Sequence, residues 1–298
     1  MGCVFLPESK RRYFTDFFQD RRLSWTTSRT TLIPVVSRLI AAPLLPLAGV
    51  ASDIQSEIGA GVLIVVATYD ERENIRPLLV EILGNAPACH VLVVDDNSPD
   101  GTGAEVSSMA SSESRIELVE RPAKLGLGSA YQAGFRRGIE GGYDHVLTMD
   151  ADFSHQPRHL PEILRRAREP GVDIVIGSRY VPGGGVVGWP LYRRLLSLGA
   201  NMFARLVLGL RPHDNTGAYR CYSRHVVEEL VKGSVVSHGY SSLIELIWTS
   251  QRQGFTISEV PITFTDRQFG ESKVSRAEIL RGVTTVLRLR FRPPRSFP

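Results

Sequence analysis

GVLIVVATY, residues 61–69, is a run of aliphatic, mostly β-branched side chains with no polar residue before Thr68. A strand that alternates apolar and polar residues buries one face, whereas a strand apolar at every position must be covered on both. HVLVVDD (90–96) repeats the pattern, and Ile116–Glu120, His145–Met149 and Asp173–Gly177 are further strand candidates. Between them, Glu71–Leu83 (with Pro77 near its start), Gly103–Ser111 and Gly128–Glu140 have helical spacing. Such an alternation predicts an α/β fold, a doubly wound, mostly parallel sheet with helices on both faces.

In that architecture ligands collect beyond the carboxyl ends of the strands. The polar residues fall there repeatedly: Thr68, Tyr69 and Glu71 after the first strand, Asp95 and Asp96 after the second, Asp150 and Asp152 after the fourth, Ser178 and Arg179 after the fifth. Alternate residues at a strand end point the same way, so Asp150 and Asp152 can present both carboxylates on one side with Ala151 turned away. Two hard oxygen ligands so placed suit Mg²⁺ or Mn²⁺, leaving positions for water and a substrate phosphate. Taken alone the motif is weak, because an Asp at a strand end often only caps the next helix. VVDDNSPDGT is turn chemistry on its own terms, with Asp100 or Thr102 able to cap the helix that follows.

Composition narrows the function classes. With 298 residues, 43% of them hydrophobic, the chain can bury one large core. Its three cysteines, Cys3, Cys89 and Cys221, are far apart, so neither a disulfide framework nor a zinc site is readable and a reducing compartment is expected. Lys and Arg against Asp and Glu number seven to five over residues 1–57, twenty-two to twenty-five over 58–273, and six to one over 274–298. The net charges are therefore +2, −3 and +5. A basic tail on a mildly acidic body argues against nucleic acid and for an anionic membrane surface. Three parts are expected: an irregular or disordered extension (1–57), a catalytic domain (58–273) and a basic amphipathic segment (274–298).

No secretory signal is readable, and MGCVFL carries Leu6 where myristoylation needs Ser or Thr. Leu32–Val50 is largely apolar but is interrupted by Arg38, Pro34, Pro43 and Pro46, so no spanning helix is expected there. VPGGGVVGWP (181–190) has too many glycines to hold one shape and is expected to form a mobile loop. After it, Leu195, Leu196, Met202, Phe203, Leu206, Val207 and Leu210 share one side of a helix, with Arg194, Ser197, Asn201 and Arg205 elsewhere. That pattern fits a core-facing helix or an interfacial one equally. In RAEILRGVTTVLRLRFRPP, Ile279, Leu280, Val283, Val286 and Leu287 recur at helical spacing, among Arg276, Arg281, Arg288, Arg290 and Arg292. Here too a stripe at the membrane interface competes with one packed on the sheet.

Together these motifs resemble glycosyltransferase family 2 with the GT-A fold, and within it the dolichol-phosphate (polyprenol-phosphate) mannose synthases. ATYDERENI resembles the family's first nucleotide loop, VVDDNSPDGTG its second and KLGLGSAYQAGF its third helix. MDADFSHQP, IGSRY, GGGVVGWPLYRR, DNTGAYRCYSR and RQFGESK continue the match in order over residues 61 to 289. The resemblance implies that Thr68, Tyr69, Glu71 and Asp96 border the donor nucleotide and that Asp150 and Asp152 hold the metal. It implies that Arg267 and Lys273 reach the donor diphosphate and that Arg179 and Arg193 receive the acceptor phosphate. The implied donor is GDP-mannose and the acceptor a dolichyl or polyprenyl phosphate. It tips the helix that follows the glycine-rich loop toward the membrane interface. The implied setting is peripheral, at the cytoplasmic face of a membrane, through surface attachment or small membrane partner subunits.

This chain departs from the family at Ala67, where a Pro is usual, and at Asp70, where an Asn is usual. Tyr240–Glu245 reads YSSLIE where eukaryotic relatives carry larger side chains. Three rival readings remain: a polyprenyl-phosphate glucosyltransferase using UDP-glucose, an inactive scaffold of the same fold, and a phospho-receiver domain whose acid pair VVDDN imitates. Against the last, a complete strand precedes the acid pair, and Ser178 and Arg179 follow the fifth strand where a receiver needs a Lys further on.

Overall fold

The computed structural model of the protein describes residues 56–233, 237, 239, 241–267 and 276–292. Most of the extension expected over 1–57, and Lys273 with its neighbours 268–275, lie outside the described residues.

The chain builds β1 (Val62–Thr68), α1 (Arg72–Asn85), β2 (His90–Asp95), α2 (Thr102–Ala110), β3 (Ile116–Glu120), α3 (Leu127–Glu140) and β4 (His145–Asp150). There follow α4 (Leu160–Ala167), β5 (Ile174–Ser178), β6 (Gly185–Val187), α5 (Leu191–Leu208), β7 (Arg220–Ser223) and α6 (Arg224–Lys232). The last are α7 (Ser241–Arg252), β8 (Ile257–Pro261), β9 (Thr263–Thr265) and α8 (Arg276–Phe291). Seven strands form one sheet in the order β3-β2-β1-β4-β7-β5-β8, parallel except for β7, which runs against both β4 and β5. The expected elements up to β5 are all present, with ends shifted by a residue or two.

The run that begins at Val62 serves both faces, as its composition demands. Val62, Ile64 and Val66 join a core with Ile75, Leu78 and Ile82 of α1, Val106 of α2 and Ile163 and Leu164 of α4. Leu63 and Val65 join the opposite core with Tyr131 and Phe135 of α3, Val226 of α6 and Leu243 and Ile247 of α7. Gly134 lets α3 lie close on β1, since a Cβ there would stand 2.5 Å from Cγ1 of Val65. Filling that contact would force a backbone shift costing about 1–3 kcal/mol.

Two expectations are corrected. The glycine-rich stretch is not without a shape of its own: Gly185–Val187 is a strand, paired in parallel with β9. Backbone hydrogen bonding there overrides the conformational freedom that the glycines confer. Nor does the side of α5 that carries Ser197 and Asn201 face water. Asn201 is 2% exposed, donating to the Ser197 carbonyl and to Thr216 Oγ1, while Leu206 is 77% exposed. The helix turns Asn201 and Ala204 inward and divides its apolar stripe: Leu195, Leu196, Met202 and Leu206 are exposed, whereas Phe203 and Val207 pack on the core and Leu210 is buried in it, so the core-facing reading holds for only part of the stripe. In α8, Val286 and Leu289 are buried while Leu280, Leu287 and Phe291 are exposed. Arg288 is not part of an outward basic face, because it donates to Glu245 of α7 at 3.0 Å and to Ser237 Oγ at 2.7 Å.

Candidate active site

The loops after β1 and β2 are fastened to one another. The Thr68 hydroxyl donates to Asp95 at 2.8 Å, and Asp95 also accepts from the Ser98 amide and hydroxyl. Asp100 accepts from the Thr102 amide at the start of α2 and from the Arg72 amide at the start of α1. The turn chemistry read in VVDDNSPDGT is thus real for Asp95 and Asp100. Asp96 is different: it is buried, ion-paired with Arg121, and accepts from the Gly126 amide at 2.9 Å. That carboxylate ties the second loop to the KLGLG segment. Glu71 accepts from Asn74 at 2.8 Å, and the Lys124 ammonium sits 3.6 Å from the centre of the Tyr69 ring. Thr68, Tyr69, Glu71 and Asp96 accordingly lie together on these loops.

Non-glycine residues with left-handed backbone among those described are Asp70, Asn97 and Phe153, with φ of 56°, 58° and 61°. Each follows a parallel strand, β1, β2 or β4. Such strain costs on the order of 1 kcal/mol apiece and persists where the surroundings over-determine it, which places it at the sheet's carboxyl edge.

Asp150 ends β4, and Asp152 follows with Ala151 turned into the core, as the alternation predicts. The Asp150 amide donates to Nδ1 of His155 at 3.0 Å, and the Tyr131 hydroxyl reaches its carboxylate at 3.4 Å. Asp152 accepts from the Ser154 amide and hydroxyl and pairs with Arg267 at 3.1 Å. Burial, with the Asp152 charge beside it, pushes the Asp150 carboxyl up to about 7. Burial pushes His155 down to about 3, so its ring is neutral, stacked on Tyr219 and edge-on to Phe264. With Nδ1 accepting from an amide, the ring proton is assigned to Nε2.

Two carboxylates that repel one another in a closed site are what a divalent cation would relieve. Among the described residues no cluster of three or more His, Cys, Asp or Glu side chains could hold a metal. A cation here would rest on Asp150 and Asp152, with its other positions taken by water and substrate phosphate. Mg²⁺ and Mn²⁺ fit that donor set and a softer metal does not.

Asp150, Asp152, Arg179, Arg193 and Arg267 all line one cavity of about 500 Å³. Arg179 is held in a fork by Asp214 and also donates to Thr216 at 2.8 Å. Arg193 pairs with Asp266 at 2.9 Å and lies 4.3 Å from the centre of the Trp189 ring. The indole N–H of Trp189 is buried without an acceptor. The same cavity is also lined by apolar side chains, Leu195, Leu196 and Phe203 of α5, Ile244 of α7, and Ile279, Val283 and Val286 of α8, with Glu278, Ser197 and Ser241 among them. Thr68, Tyr69, Glu71 and Asp96 are not part of the lining.

Sequence reasoning missed Tyr131, His155, Arg121, Asp214 and Trp189 as site residues, although all sit inside motifs that it singled out or beside them. A His three residues from Asp152, or an Asp remote in sequence from the arginine that it holds, carries no separate signal in a single sequence.

The sequence profile of glycosyl transferase family 2 matches residues 63–231. The polyprenol monophosphomannose synthase of Mycolicibacterium smegmatis is 47% identical over 219 residues, 73% of this chain and 82% of that one. The undecaprenyl-phosphate mannosyltransferase of Micrococcus luteus is 41% identical over 227 residues, 76% of this chain and 93% of that one. Among solved structures, glucosyl-3-phosphoglycerate synthase from Mycobacterium tuberculosis, in complex with Mn²⁺, UDP and glucosyl-3-phosphoglycerate, superposes with a TM-score of 0.56. It is 19% identical, over 80% of this chain and 82% of that one. A mannosyltransferase from Pyrobaculum calidifontis in complex with GDP-Man and Mn²⁺ gives 0.55 at 17% identity, over 82% and 68%. These two likenesses concern the fold.

Proposed function

Because the chain belongs to glycosyl transferase family 2, we propose that it transfers mannose from GDP-mannose to the phosphate of a polyprenyl or dolichyl phosphate, with inversion at the anomeric carbon. The observation that carries this reading is one cavity lined both by Arg179, Arg193 and the Asp150–Asp152 pair and by aliphatic side chains of α5 and α8. An amphiphilic acceptor, anionic at its head and hydrocarbon behind it, matches that lining. The two bacterial relatives, named for mannosyl transfer to polyprenol and undecaprenyl phosphate, support it.

The acceptor phosphate is ionised at neutral pH, so its oxygen attacks the anomeric carbon without a general base. One C–O bond forms as the bond to the nucleoside diphosphate breaks, and in-line displacement inverts an α-linked donor to a β-linked product. Arg179 and Arg193 hold the attacking phosphate through charge-assisted contacts. Arg179 is fixed for that task by Asp214, and Arg193 by Asp266 and Trp189. Asp150 and Asp152 would hold Mg²⁺ or Mn²⁺, which supplies counter-charge to the departing diphosphate. Arg267, paired with Asp152, adds to it, and the family resemblance gives Lys273 the same task. Neutral His155 pins the Asp150 backbone and takes no proton in the reaction.

No helix among the described residues is long and apolar enough to cross a membrane. The exposed side chains Leu195, Leu198, Met202 and Leu206 of α5, with Leu280 and Leu287 of α8, would enter the interfacial region of a bilayer, where Arg290 and Arg292 meet anionic headgroups. The enzyme is then peripheral, at the cytoplasmic face, where buried unpaired cysteines such as Cys89 and Cys221 are stable.

Purified protein incubated with labelled GDP-mannose and undecaprenyl phosphate should move label into the lipid phase, and labelled UDP-glucose should not. Label from UDP-glucose alone would reassign the donor; no label from either would overturn the reading.

A further inference from the structure

Gly199 of α5 and Gly282 of α8 both line the cavity, on two helices that supply most of its aliphatic lining. Each stands inside a helix, where glycine is the poorest former after proline. Neither has the positive φ that would demand glycine. Neither is required for close packing, because a Cβ built at either position meets no atom within 4 Å. This sets them apart from Gly134 and Gly138 of α3, where a Cβ would run into Val65 or Val146. The helices therefore bear the conformational cost of two glycines that backbone geometry and protein packing leave unexplained, and the space each keeps open belongs to the cavity.

The same cavity is crowded on either side of that level. Along α5, Leu195, Leu196 and Phe203 stand on either side of the small Ser197, Gly199 and Ala200, and along α8, Glu278, Ile279, Val283 and Val286 flank Gly282. Bulky aliphatic walls with one position on each helix reduced to hydrogen describe a passage for a chain that carries branches. A polyprenyl chain bears a methyl on every unit. We infer that Gly199 and Gly282 are specificity-determining residues, which leave open the level at which the acceptor's isoprenoid chain passes between α5 and α8. This rests on the acceptor assignment made above and adds to it the residues that admit a long chain.

The test replaces Gly199 and Gly282 with leucine, singly, and compares kcat/KM for undecaprenyl phosphate with that for water-soluble geranyl phosphate, in detergent, alongside thermal melting. Leucine is a good helix former entering open space, so melting should be no lower than in the wild type. The loss with undecaprenyl phosphate should exceed the loss with geranyl phosphate at least about tenfold. Gly199→Ala and Gly282→Ala should fall between wild type and the leucine variants. Equal losses with both acceptors, or none with either, would overturn the inference while leaving the acceptor assignment standing. Leucine variants that melt below wild type would overturn it too, because the glycines would then serve packing. A wild-type enzyme that uses neither phosphate removes the acceptor assignment and this inference together.

Discussion

The Arg179 guanidinium meets the Asp214 carboxylate through two parallel hydrogen bonds, each 2.7 Å long, and Asp214 also accepts from the Arg179 amide at 3.1 Å. Burial works against both charges. It favours a neutral Asp214, yet the neighbouring guanidinium holds that carboxyl below its usual range; it likewise disfavours a charged Arg179, yet Asp214 keeps it protonated. Asp214→Ala should therefore cost about 3–5 kcal/mol in urea unfolding, because it strands a buried cation. A carboxyl whose folded pKa lies below its unfolded value of about 3.9 stabilises fully above that value and stops doing so as pH falls through the folded one. The stability gap between wild type and Asp214→Ala should thus be constant near neutrality and close only in strong acid. A gap that closes near neutral pH would contradict the pairing.

Asp150→Asn and Asp152→Asn should each lower kcat at least about a hundredfold, since each removes countercharge from the leaving diphosphate. Excess chelator should abolish wild-type transfer, with recovery on adding Mg²⁺ or Mn²⁺. Asp150→Asn should melt no lower than wild type, because it discharges a buried carboxyl facing another. Undiminished turnover in chelator would remove the metal from the site.

Leu198 and Leu206 are exposed on the same helix. Changing both to Glu should alter unfolding free energy by less than about 1 kcal/mol, as for other surface sites. Co-flotation with vesicles containing anionic lipid should nevertheless be lost. Flotation equal to that of the wild type would show that α5 does not meet the bilayer.

Burial pushes the thiols of both Cys89 and Cys221 up to about 12, each ringed by apolar side chains. In a Cys3→Ser variant, a thiol reagent at pH 8 should report no reactive cysteine until denaturant is added. Rapid labelling of the native variant would mean that one face of the sheet opens.

The parallel half of the sheet was legible because each strand is apolar on both faces, a pattern that a run such as VLIVVAT displays without help from context. β7 was not. RCYS is short, lacks β-branched residues, and carries Arg220, whose buried guanidinium donates to the carbonyls of Leu243 and Asn215 while its Nε has no acceptor. Those partners are assembled only by the fold. The Asp150–Asp152 pair and the arginines were legible as residue types at strand ends. Their convergence on one cavity was not, because its lining is completed by α5, α7 and α8, which are distant in sequence. The outward turn of α5 depends on Asn201 finding Thr216 and Asn215, which helical spacing does not reveal.

The direction of β7 decides which of its neighbouring loops the site receives. In a parallel strand the carboxyl edge is supplied by the loop that comes after; in β7 it is supplied by the loop that comes before. Arg220, the first residue of β7, lies abreast of Thr148 in β4 and Ile176 in β5, so Asp214, Thr216 and Tyr219 arrive at the same rim as Asp150 and Arg179. β7 also stands between β4 and β5 as a spacer of two interstrand steps, roughly 9–10 Å. The Asp150–Asp152 pair and Arg179 are thereby held apart by backbone hydrogen bonds rather than by side chains. An insertion just upstream of β7 would land at the cavity that Asp150 and Arg179 line, whereas one of equal length at its other end, where Arg224 begins α6, would emerge on the opposite rim of the sheet.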